Sequence, residues 1–139
     1  MLTTCIYHAD LSSVVARKKF LVEGSRRYFE VFLWESTDAL QKDNECRNGV
    51  CEKNVLGVTC PAPYKDGTTP EFLGEIHFAR NSWNLEVVAH ECLHATIHAM
   101  HVYNIDLLNG FMEEEERLCY LHGHLFEDVY RWLWNLEKA

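Results

Sequence analysis

The chain lacks any apolar run approaching the roughly 18 residues that a membrane-spanning helix needs, so neither a span nor a membrane partner is expected. Its start, Met1-Leu2-Thr3-Thr4-Cys5, lacks the basic segment and following apolar stretch of a signal peptide, and a cytoplasmic location is the expectation. Basic charge is scarce too. Thirteen Lys and Arg stand against 21 Asp and Glu, for a net charge of -8 with His neutral. Phosphate recognition needs clustered cations, which argues against nucleic acid as a partner. The densest basic stretch, Arg17-Lys18-Lys19 with Arg26-Arg27, reads as a solvated face. Internal repeats and low-complexity segments are absent. Tight cysteine pairs are absent as well: Cys46-x4-Cys51-x8-Cys60 is wider than the usual C-x2–4-C of structural zinc sites. Such a site would have to recruit Cys5, His8 or His77, so reduced thiols are the preferred reading of the six cysteines.

What is present supports a folded globule. With 139 residues, 47% hydrophobic and 12% aromatic, the chain is long enough for one domain, 1–139, with a core of its own. Residues 3–8 read as a short strand, and Asp10 or Ser12 as the cap of a helix reaching Phe20. Gly24-Ser25 breaks the chain before a strand at 27–34, apolar on both faces and therefore central in a sheet. Turn signals dominate 35–70, with a short strand at 55–59 between them. Residues 71–78, whose second half alternates, read as an edge strand. Asn81 or Ser82 then caps a helix running to Tyr103, followed by a loop through 106–110 and a long helix over 111–136. Strands early, with a helix among them, and two long helices last define an α+β fold.

The helix after the edge strand holds Val87-Val88-Ala89-His90-Glu91-Cys92-Leu93-His94-Ala95, an H-E-x-x-H pattern. Residues four apart on a helix lie one turn above each other, so His90 and His94 can share one zinc ion. A glutamate directly after the first His lies beside that ion, placed to take a proton from water. From Val87 to Ile105 Glu91 is the only charged residue with His neutral, and an all-apolar helix is expected to be buried. A buried carboxylate is costly unless it is paired or serves a site. Two core histidines with a glutamate at a helix border would be the bland alternative, without evident partners.

A catalytic zinc takes three protein ligands and leaves a fourth position open. The same-helix extension H-E-x-x-H-x-x-G-x-x-H fails, because Met100 and Ile97 occupy its His and Gly positions. His98 and His101 continue the same face too far along to reach the ion, and are expected to line the cleft. The other source is Glu113-Glu114-Glu115-Glu116 at the start of the last helix, where acidic residues also suit the helix dipole. In that helix Leu118, Leu121, Leu125, Val129, Trp132 and Leu136 form an apolar stripe, and Glu116, Cys119, Tyr120 and Gly123 lie on another face. Small residues at 119 and 123 would let the two helices approach and bring Glu116 to the metal, with Glu115 the second choice.

These two motifs, His90-Glu91-x-x-His94-Ala95 and Glu116-x-x-Cys119-Tyr120-Leu121-x-Gly123, resemble those of small gluzincin-type zinc metallopeptidases from phage and bacteria. More distantly they resemble ImmA/IrrE-like and SprT-like peptidases. The likeness covers roughly 71–130 and departs from the family in having Cys119 where Ala or Ser is usual. It implies a zincin-like fold, with a small mixed or antiparallel sheet packed on the H-E-x-x-H helix and a long C-terminal helix. It also implies Zn2+ held by His90, His94 and Glu116, and a location in the host cytoplasm if phage-encoded. Glu91 would be the general base that acts on a protein or peptide substrate. The 71–78 strand would hold that substrate by strand addition. A further oxyanion donor is usual in such sites. Tyr120, His98, His77 and Tyr7 are the candidates, with Tyr120 taken first. The competing reading is a zincin-like module that binds metal and a host protein without cutting it. A metal-free scaffold with buried histidines is a weaker third.

Overall fold

The computed structural model describes residues 10–49, 55–65, 67–68, 70–108, 110 and 112–138; the strand expected at 3–8 lies outside them. Asp10 does act as a cap, its carboxylate accepting from the Ser12 N–H at 3.0 Å. What it caps is only a single turn of 3-10 helix, Leu11–Ser13. The β-branched pair Val14-Val15 then favours extended backbone, and the expected helix is instead strand β1 (Val14–Leu21). β1 turns through Glu23 and Gly24, both at positive φ, into β2 (Tyr28–Trp34), with Phe20 opposite Phe29.

Among the described residues four strands form one mixed sheet in the order β1-β2-β4-β3. β2 is central as expected, antiparallel to β1 and parallel to β4 (Phe72–Ala79). β4 in turn pairs antiparallel with β3 (Gly57–Pro61). The 71–78 segment is therefore an interior strand, not the edge its alternation suggests. Its polar-looking face is covered, with His77 buried and Glu75 half-buried beside a helix from the region where turn signals dominate. That helix, α1 (Thr37–Asn48), is capped by Ser36, whose Oγ accepts from the Ala39 N–H at 3.1 Å, and ends at Gly49 with φ 68. Leu40 is its one buried apolar side chain, so no apolar periodicity announces it.

α1 covers one face of the sheet, where Leu40 packs with Phe32, Trp34, Val55 and Ala79. The other face, carrying Phe29, Val31, Leu33, Ile76 and Phe78, packs on α2 (Leu85–Val102) and α3 (Met112–Glu137). The cap of α2 is Asn84, whose Oδ1 accepts from the Val87 N–H at 2.9 Å, and not Asn81 or Ser82. Val88, Cys92, Ala95 and Ala99 are fully buried toward the core. The opposite face of α2 is open: Leu93 is 45% and Ile97 41% exposed, beside exposed His90, His94 and His101. An apolar helix is thus not buried all round here.

On α3, Leu121, Leu125, Val129 and Leu133 enter the core, whereas Leu136 faces out. The close helix approach uses the small residues of α2, not those of α3. A Cβ added at Gly123 would meet no atom within 4 Å, and Glu116, Cys119 and Tyr120 are exposed. Among the described residues no helix is long and apolar enough to cross a membrane.

Candidate metal centre

α2 turns His90 and His94 to the same side, and their Nε2 atoms are 3.2 Å apart. Two nitrogens bound to one tetrahedral zinc at about 2.0–2.1 Å would lie about 3.3 Å from each other. The pair is thus spaced as two ligands of one ion would be, a separation that also suits an N–H···N hydrogen bond between the two rings. The rings meet edge to face at 4.8 Å and are open to solvent.

Glu91 points to the side, against β3, and is only 7% exposed. Its Oε1 accepts a hydrogen bond from Thr59 Oγ1 at 2.8 Å, and its Oε2 lies 3.9 Å from His90 Nε2. Gly57 makes this fit possible. A Cβ there would stand 2.8 Å from Glu91 Cγ and 3.1 Å from Val87 Cγ1. Burial of the carboxylate is therefore compensated by one neutral donor, with the second oxygen turned toward the imidazoles. The three motif residues share a cleft with Gly57 and Thr59 of β3 and with Asn44 and Asn48 of α1. Asn48 Nδ2 donates to Asn44 Oδ1 at 2.5 Å, which fixes both amides on the far wall.

The remaining sequence candidates fall elsewhere. Among the described residues no three His, Cys, Asp or Glu side chains are gathered closely enough to hold a metal ion. Glu116 and Glu115 are exposed on α3 and are not brought together with the two imidazoles. Tyr120, 64% exposed, borders a different cavity with Val22, His124 and Asp128. Tyr7 lies outside the described residues. His98 packs edge-on against Tyr64 at 5.8 Å, and burial holds its pKa below the ordinary value.

His77 is fully engaged inside the sheet. Trp34 Nε1 donates to its Nδ1 at 2.9 Å, so its Nε2 carries the proton and donates to Glu75 Oε1 at 3.0 Å. Its ring stacks on Phe32 at 4.7 Å. Burial works to raise the Glu75 carboxyl, but the His77 hydrogen bond and the Arg47 guanidinium together hold it below its usual range. His77 is therefore neither an oxyanion donor nor a spare ligand for the cysteines. Of these, Cys46 is exposed and Cys60 half-buried, while Cys51 lies outside the described residues. Cys92 is buried, and desolvation with Glu91 beside it pushes its thiol up to about 12, a packing residue and not a nucleophile.

Thr59, Gly57, Asn44 and Asn48 are the site residues that sequence reasoning missed. Gly57-x-Thr59 on a short strand carries no motif, and its meaning depends on β3 lying against α2. Protein-family models, curated proteins and solved structures offer no match to this chain.

Proposed function

We propose that the chain is a zinc-dependent peptidase of gluzincin type, built on a zincin-like fold. One observation carries the reading: two histidine Nε2 atoms sit 3.2 Å apart, with a buried glutamate oxygen 3.9 Å from one of them. His90 and His94 would hold the ion; the motif similarity alone names Glu116 as the third ligand, with Glu115 its neighbour in register, since the fold does not gather either carboxylate with the two imidazoles. A zinc ion there would supply Lewis acidity, polarising the scissile carbonyl and making water a nucleophile near neutral pH. Glu91 would accept the water's proton at Oε2 and return it to the leaving amine. The peptide's place is the outer side of β3, which among the described residues has β4 as its one neighbour. Strand addition there satisfies backbone hydrogen bonds next to the His pair. This replaces 71–78 as the substrate strand.

Glu91→Gln keeps the side chain's shape and an acceptor for Thr59. It is expected to retain stoichiometric zinc while hydrolysis of a mixed peptide library falls by at least about a hundredfold. A variant that cleaves like wild type sinks the mechanism.

A second reading draws on the open His pair and the exposed Glu116: a metal-binding module that docks a protein without cutting it. Stoichiometric zinc with no cleavage anywhere in the peptide library would favour it.

A further inference from the structure

We infer that Thr59 is a positioning residue that selects the working oxygen of Glu91; this rests on the reading of Glu91 as general base. The Thr59 hydroxyl has one proton and two acceptors in reach, Glu91 Oε1 at 2.8 Å and the Glu91 carbonyl oxygen at 3.0 Å. The carboxylate is the stronger acceptor, so the proton goes mainly to Oε1. Oε2 is then left on the His90 side, 3.9 Å from Nε2. A carboxylate at the end of a three-bond side chain would otherwise exchange its oxygens and its rotamers. Gly57 leaves the room this pose needs, since a Cβ there would stand 2.8 Å from Glu91 Cγ. Strand β3 thus has two tasks on one edge: offering backbone to a peptide and holding the base at a fixed distance from it. A general base works only within hydrogen-bond reach of the proton it takes, and a displacement of about 1 Å lowers rates about a hundredfold.

The test uses Thr59→Val, which keeps size and β-branching but loses the hydroxyl, and Thr59→Ser, which keeps the hydroxyl. Zinc-loaded proteins are assayed on a quenched fluorescent peptide library, with bound zinc counted by elemental analysis. Thr59→Val is expected to lower kcat about 10- to 100-fold, with KM and zinc content within about twofold of wild type. Thr59→Ser is expected to recover most of the loss. A Val variant with wild-type kcat, or a Ser variant as slow as Val, overturns the assignment. A second readout needs no hydrolysis. In zinc-free protein Thr59→Val lowers Tm by several degrees, and by less in a Glu91→Ala background, where the carboxylate is gone and only the residue 91 carbonyl oxygen remains as acceptor. Equal losses in the two backgrounds overturn the bond itself. Wild type that binds zinc and cleaves nothing overturns the peptidase reading and the catalytic role of Thr59 with it, while the Tm cycle still decides whether the contact orders Glu91.

Discussion

Glu91 and Glu75 show how one residue type takes different work from its surroundings. Glu91 has a neutral donor on one oxygen and the cleft on the other. Glu75 is enclosed between His77 and the Arg47 guanidinium. Arg47 also reaches Asp43 at 3.4 Å, so α1 is tied to β4 by charge as well as by Leu40. Because folding lowers the Glu75 pKa, its contribution is fully present above the unfolded carboxylate value of about 4.3 and is lost as pH falls through the lower folded value. Glu75→Gln is therefore expected to be less stable than wild type near neutrality. The gap should narrow as pH falls from about 5 toward 3, followed by urea unfolding at each pH. A constant gap would show that the charge on Glu75 is not what matters.

At the scale of elements, β3 is where local geometry and site geometry meet. It pairs with β4 at a point of close backbone approach. Gly74 has φ 146, and a Cβ there would stand 2.5 Å from the Cys60 carbonyl oxygen. That conformation is open almost only to glycine. Gly74→Ala is expected to cost about 2 kcal/mol or more, read from denaturant midpoints. It should also impair hydrolysis more than an equally destabilising change on β1, because β3 carries Thr59 and Gly57. Equal activity losses from the two changes would separate β3 from the site. The strand's role is illegible in the sequence for a physical reason. Gly57–Pro61 is too short for a firm alternation pattern, and α1, its cover on the α1 face, buries polar Asp43 and Asn44 in place of an apolar stripe.

For the whole molecule, metal and fold should be linked. An ion bound only by the folded chain stabilises it by about 2.7 kcal/mol at a concentration a hundred times its Kd. Zinc is therefore expected to raise Tm by several degrees, and a chelator to reverse the rise. If α3 supplies the third ligand, Glu116→Gln should lose most of that shift while Glu115→Gln keeps it; the reverse would move the ligand by one residue. If neither substitution matters, the two imidazoles bind without α3. The assignment turns on helix rotation. Leu121, Leu125, Val129 and Leu133 point α3 into the core and leave Glu116 at the surface, apart from the cleft that His90 and His94 share with β3 and α1.

By itself the sequence determined the α+β class, the central strand at 27–34, the two long helices and the pairing of His90 with His94, because these depend on periodicities that neighbouring residues carry. Only the tertiary structure decided the rest. It made 14–21 a strand, put β4 inside the sheet and, among the described residues, β3 at its edge, and left one face of α2 open. It also supplied Glu91 with Thr59, which lies 32 positions away along the chain. Contacts of that range are set by which elements pack together and at what rotation, and no local pattern records them.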